Sequence, residues 1–141
     1  MKRKLFTAVC FLLAAAMLPS GASAAGAGKG PKKEVGIQLY SVRSLIGAFG
    51  NNQEDYKPVL KQLADMGYTS VEAASYKDGK IYGQTPEQFR KDVEEAGMKV
   101  LSTHCTINLS DEELAAGDFS KALAWWDECI AAHKAAGAEY I

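Results

Sequence analysis

The chain has no apolar run long enough to cross a bilayer. Its longest, Leu5 to Leu18, holds 14 residues broken by Thr7, against the roughly 20 that a spanning helix needs. It has no G-x-G-x-x-G and no G-x-x-x-x-G-K-S/T, so a dinucleotide or P-loop phosphate site of those kinds is unsupported. It has no excess of one charge: 16 Lys and Arg stand against 17 Asp and Glu, a net of −1 among 141 residues. No basic face emerges, which argues against a nucleic-acid partner. Cysteine is scarce at three residues and histidine scarcer at two. A disulfide framework of the small secreted kind is therefore excluded.

What is there begins with an export signal. Met1-Lys-Arg-Lys4 is a basic n-region, Leu5 to Leu18 an apolar h-region, and Ala22-Ser23-Ala24 a small-residue cleavage site. This reads as a signal peptide over residues 1–24, with a periplasmic or secreted product and no membrane contact after cleavage. Cleavage removes Lys2, Arg3 and Lys4 and no acidic residue, which takes the net charge from −1 to −4. It also removes Cys10, leaving Cys105 and Cys129. An exported protein could oxidise this pair; one falls at a strand end and the other within a helix, which favours two separate buried thiols. Residues 25–33, AGAGKGPKK, read as a flexible linker.

The remainder, residues 34–141, repeats one grammar. Met66-Gly67, Ala96-Gly97 and Ala136-Gly137 each end a helix and lead into an apolar segment, with the glycines 30 and 40 residues apart. That is the length of one strand-loop-helix unit. Strands are expected at Glu34 to Ser41, Ser70 to Ala74 and Lys99 to His104. Helices are expected from Asp55 to Met66, from Pro86 to Ala96 and from Asp118 to Ala136. Their buried faces follow from the helical period: Tyr56, Val59, Leu60, Leu63 and Met66; Phe89, Val93 and Ala96; Phe119, Leu123, Trp126 and Ile130. Thr85-Pro86-Glu87-Gln88 and Ser110-Asp-Glu-Glu113 are capping-box patterns, and residues 75–84 read as a polar loop.

Strands alternating with helices give an α/β fold with a parallel sheet, either an open doubly wound sheet or a (β/α)8 barrel. Gln38 and Tyr40 share one side of the first strand, opposite Ile37 and Leu39. Glu72 opposes Val71 and Ala73, and Ser102 and His104 oppose Leu101 and Thr103. An open sheet covered on both faces wants two apolar sides. A barrel has polar groups emerging at its C-terminal mouth, and the parity favours the barrel.

Three segments in order carry a resemblance: Gly36-Ile-Gln-Leu-Tyr-Ser-Val-Arg43, Met66-Gly67-Tyr68-x-x-Val71-Glu72 and Gly97-Met-Lys-Val-Leu-Ser-Thr-His104. Together they resemble the xylose isomerase-like sugar phosphate isomerase/epimerase family, over about Val35 to Ile141. The resemblance implies a TIM-type (β/α)8 barrel, here truncated to about the first three β/α units plus the start of strand four. It implies a sugar isomerase or epimerase that moves protons beside a carbonyl, assisted by a divalent metal (Mn, Mg, Zn or Co) in the full-length parent. The family's ligands, two Glu, an Asp and a His, come mostly from strands four to eight, so no metal ligands are expected in this chain. The related endonuclease branch carries zinc-binding histidines near strands two and three, and the strand-two position here offers none.

The expected substrate-binding wall is Gln38, Tyr40, Glu72 and His104. His104 can hydrogen-bond a hydroxyl or shuttle a proton. Glu72 either orients a substrate or sits in an interior ion pair. Arg43 reads as a solvated loop residue, Trp126 as core, and His133 as a surface or packing residue far from the mouth. Catalytic residues are not identified. The partner is a small-molecule sugar, with a neutral or oxidised sugar favoured because an exported protein meets few sugar phosphates. Alone, the segment is expected to be inactive and to self-associate through open sheet edges. The alternative reading is a non-catalytic carbohydrate-binding barrel domain.

Overall fold

A computed structural model describes residues 33–48, 51–52 and 55–141. The signal peptide expected over 1–24 and the linker expected over 25–33, apart from Lys33, lie outside the described residues. In chain order the elements are β1 (Gly36–Gln38), a 3-10 turn (Leu39–Val42), α1 (Arg43–Ile46), β2 (Gly47–Ala48), β3 (Asn51–Asn52) and α2 (Lys57–Asp65). Then follow β4 (Ser70–Ala73), β5 (Tyr76–Lys77), β6 (Lys80–Ile81), α3 (Pro86–Glu95), β7 (Lys99–Thr103), α4 (Asp111–Ala116) and α5 (Ser120–Ala135).

Strands β1, β4 and β7 form one parallel sheet in that spatial order, which is also their chain order. A single parallel bridge from Ser102 to Tyr140 extends the pairing beyond β7. The last expected strand is present only as that bridge. The α/β class with a parallel sheet is therefore as the alternation of elements required.

The three glycine stops share one hydrogen-bond pattern. Gly67, Gly97 and Gly137 all have φ between 81° and 98°, the left-handed region that a Cβ disfavours. Around Gly97, its amide donates to Glu94 and that of Met98 donates to Val93. The same pair of bonds recurs as Gly67 to Ala64 with Tyr68 to Leu63, and as Gly137 to Lys134 with Ala138 to His133. Each satisfies otherwise orphaned helix carbonyls while reversing the chain into the next strand.

One buried cluster joins Leu60 and Leu63 of α2, Phe89 and Val93 of α3, Val71 and Ala73 of β4, and Val100 of β7. Each of the Leu, Phe and Val side chains contributes about 1.5–3 kcal/mol when removed from water. The expected faces of α2 and α3 hold except at Met66, which caps α2 and is exposed. Residues 75–84 differ from the expected loop. They form the hairpin β5–β6, turned by Asp78 and Gly79, both at positive φ, the backbone that a type I′ turn demands of an Asp-Gly pair. Ile81 and Tyr82 follow it into the core.

Helix α5 corrects the sequence reading most. It buries Ala122, Cys129 and His133, and its C-cap Ala136 is buried too. The expected core residues Phe119, Leu123 and Ile130 are exposed, Leu123 to 63%, and Trp126 is half-buried. Apolar residues occupy more than one side of this helix, so periodicity alone did not choose the packed side.

Asp92 anchors the helix layer. Its side chain has no solvent exposure and accepts from the Tyr56 hydroxyl at 2.6 Å, Gln88 Nε2 at 2.8 Å and Lys57 Nζ at 2.9 Å. Gln88 is thereby diverted from the capping box expected with Thr85, which keeps only the Gln88 amide bond at 3.2 Å. Ser110 and Glu113 make the full reciprocal box. Burial alone pushes the Asp92 carboxyl up. The three donors and the Lys57 charge outweigh it and hold it below the usual carboxylate value. A folded-state pKa below that of the unfolded chain adds stability above about pH 4, which is lost as pH falls through that range. Asp92→Asn should therefore lower unfolding stability by about 2 kcal/mol at pH 7. In urea titrations the gap from the parent chain should shrink by about pH 3.

Candidate functional site

Neighbouring parallel strands place register partners side by side on one face. Ile37 pairs with Val71 and Val71 with Val100, on the side of the helix-packed core. Gln38 pairs with Glu72 and Glu72 with Ser102 on the opposite side. The register shifts by one residue between Val71 and Glu72, so β7 carries Leu101 as an extra residue. This bulge corrects the simple alternation expected for β7, because it returns Thr103, partner of Ala73, to the side of Val100.

The three polar partners are bonded into a row. The Gln38 side-chain amide donates to Glu72 Oε1, and Ser102 Oγ donates to Glu72 Oε2 at 2.8 Å. Glu72 is half-buried and Gln38 exposed. The ion pair considered for Glu72 is replaced here by two neutral donors. Each carboxylate oxygen keeps a further lone pair, so the group can accept a ligand hydroxyl without leaving its anchors.

The other expected wall residues occupy different settings. The chain leaves the strand at Gln38, so Tyr40 lies in the 3-10 turn rather than on the strand face expected for it. The Arg43 guanidinium stacks over the Tyr40 ring at 4.2 Å, and its Nη1 donates to the Tyr40 carbonyl at 3.0 Å. Arg43 is thus a local clamp on the turn. His104 is exposed one residue past β7, and its backbone amide donates to the Ala73 carbonyl at 2.7 Å. That bond continues the β4–β7 ladder and fixes where the imidazole departs from the strand end.

The row does not fit a divalent metal. It supplies one carboxylate flanked by an amide nitrogen and a hydroxyl, and both carboxylate oxygens already accept hydrogen bonds. A different group of ligand-type atoms was missed from the sequence. Cys105, Cys129 and His133 come within 4.8 Å of one another. The thiols expected to be separate have sulfurs 3.2 Å apart. His133, expected as a surface or packing residue, is a packing one: it is fully buried, with Nδ1 at 2.7 Å from the Cys129 carbonyl. The Cys129-x-x-x-His133 spacing was the available signal, since residues four apart share a helix side.

No protein-family model and no curated protein matches the chain. Solved structures do. A sugar phosphate isomerase/epimerase from Parabacteroides distasonis ATCC 8503 is 29% identical, with a TM-score of 0.59 over 77% of this chain and 40% of that one. A second sugar phosphate isomerase/epimerase from the same organism is 23% identical, with a TM-score of 0.55 over 79% of this chain and 38% of that one. The second likeness concerns the fold alone. The chain spans about two fifths of the length of the structures it matches.

If the carboxylate charge is what Gln38 and Ser102 hold, Glu72→Gln keeps an oxygen for the Gln38 amide and turns its NH2 to the Ser102 hydroxyl, which then accepts, so both charge-assisted bonds become neutral ones. Thermal denaturation should report a loss of about 1 kcal/mol. Calorimetry with Mn²⁺ should detect no submicromolar binding at the row in either protein.

Proposed function

We propose that the chain is the N-terminal part of a sugar isomerase/epimerase-like (β/α)8 barrel acting on a neutral or oxidised sugar. The single observation that carries this reading is the bonded row Gln38–Glu72–Ser102. It crosses three consecutive parallel strands on the side away from the helix-packed core. An open sheet would cover that side with apolar helix faces. A barrel interior is where polar groups at strand ends are used. The likeness to a sugar phosphate isomerase/epimerase at 29% identity supports the same reading, as does its extent of 40% of that protein. The outward apolar residues Phe119, Leu123 and Ile130 are consistent with further β/α units packing there.

In this reading Glu72 holds a sugar hydroxyl, fixed in place by its two neutral donors. His104, at the end of β7, contacts the sugar and exchanges a proton beside its carbonyl. The substrate-binding wall is Gln38, Glu72 and His104, with Tyr40 at its edge. The divalent metal of the full-length parent would need ligands outside this chain, since the row does not fit one. The non-catalytic carbohydrate-binding barrel remains the rival, and the residues at later strand ends separate the two. Two Glu, an Asp and a His there favour the enzyme.

In the full-length parent, His104→Ala should lower kcat/KM about 10²- to 10⁴-fold with little change in melting temperature, because the residue is exposed. Wild-type kinetics in that variant would leave His104 a structural residue. We further propose that the protein is exported, on the strength of Lys2, Arg3, Lys4 and Ala22-Ser23-Ala24. Intact mass of the processed protein should place Ala25 at its N-terminus, whereas a cytoplasmic product beginning at Met1 would overturn this.

A further inference from the structure

The Cys105–Cys129–His133 cluster lies outside the polar row. Cys105 is in the segment after β7, next to His104, and Cys129 is in the middle of α5. Their sulfurs, 24 residues apart in sequence, are 3.2 Å apart in space. Tyr76, from the β5–β6 hairpin, covers the group, its ring 4.8 Å from that of His133. Trp125 packs edge-on against Tyr76 at 5.6 Å. Cys129 is fully buried and Cys105 is half-buried.

Two chemistries compete for such a group. A soft metal ion would need both sulfurs as thiolates and a free imidazole lone pair. The geometry opposes it. His133 Nδ1 lies 2.7 Å from the Cys129 carbonyl, a distance that makes it the donor of a hydrogen bond and occupies the nitrogen nearest the sulfurs. Tetrahedral zinc also separates its sulfur ligands by about 3.8 Å, given Zn–S bonds of ~2.3 Å. The observed pair is closer than that. Burial raises the pKa of both thiols, which disfavours the doubly ionised state that a metal requires.

We propose that Cys105 and Cys129 are a redox-modification site, forming an intramolecular disulfide that ties the segment after β7 to α5. The oxidant is a small disulfide of the glutathione class. Only Cys105 need ionise for the first step: its thiolate, a minor fraction because burial raises that thiol's pKa too, attacks the oxidant, breaking its S–S bond and releasing one thiol. The buried Cys129 then attacks the mixed disulfide at the Cys105 sulfur and releases the second thiol. Two protein thiols are oxidised, one disulfide is reduced to two thiols, and both protons leave with them. The bond needs an approach from 3.2 Å to about 2.05 Å. Its effect is to fix the residue beside His104 to the helix layer, whether or not the barrel reading holds.

The test uses the full chain, reduced and then equilibrated with mixtures of oxidised and reduced glutathione, once in native buffer and once in guanidinium. Free thiols are then alkylated and tryptic peptides mapped. Cleavage at Lys99, Lys121 and Lys134 puts Cys105 in peptide 100–121 and Cys129 in peptide 122–134. The expected result is a species 2 Da lighter in which these two peptides are joined. Its equilibrium constant for formation should be about 100-fold larger in native buffer than in guanidinium. Cys105→Ser should abolish the joined pair. Equal constants in the two solvents, pairing through Cys10, or both peptides alkylated throughout would each overturn the proposal. A reduced pair that instead takes up one Zn²⁺ per chain with protection of both thiols would reassign the cluster as a metal site.

Discussion

One extra residue in β7 sets the chemistry of the sheet. Without Leu101 as a bulge, regular pairing would place its leucine side chain beside the Glu72 carboxylate and send Ser102 to the other side. With it, Ser102 Oγ reaches Glu72 Oε2 at 2.8 Å. A half-buried carboxylate left with the Gln38 donor alone and a leucine beside it would lose more than a hydrogen bond returns. The bulge therefore makes Glu72 tolerable at mid-strand. The Leu101 carbonyl is also used, accepting from the amides of both Glu139 and Tyr140. The irregularity in one strand thus receives the next segment of the chain as well.

Two polar arrangements share the work without touching the same groups. Asp92 ties α2 to α3 through Tyr56, Lys57 and Gln88, all within the helix layer. The row Gln38–Glu72–Ser102 lies on the other side of the sheet. Between them is an apolar layer of Val71, Ala73 and Val100 against Leu60, Leu63, Phe89 and Val93. The first arrangement holds helices in place, and the second leaves a carboxylate available on the polar side of the sheet. Substitutions in one should be nearly additive with substitutions in the other, since no partner is shared.

Much of the local structure was legible because its causes are local. Glycine at 67, 97 and 137 marks helix ends, since a left-handed residue is needed there. Ser110 and Glu113 announce a helix start through bonds three residues long. The polar sides of β1 and β4 followed from alternation, which held at Gln38 and Glu72 and failed at Tyr40, where the backbone curls into a 3-10 turn. Non-local causes were not legible. The Asp-Gly turn at 78–79 could have been read, but the side of α5 that packs depends on what the neighbouring elements present. Small residues and His133 won over Phe119, Leu123 and Ile130. The approach of Cys105 to Cys129 depends on that same choice, so missing one meant missing the other.

The order of the sheet bears on how the chain is made. Gly36 pairs with Ser70, Ser70 with Lys99, and Ser102 with Tyr140, so each strand waits only for the next one in the chain. Among the described residues, the strand pairings span some 30 to 40 residues, the length of one unit. During synthesis the sheet can therefore grow one strand at a time as each unit leaves the ribosome, with loop-closure entropy met in small, equal steps.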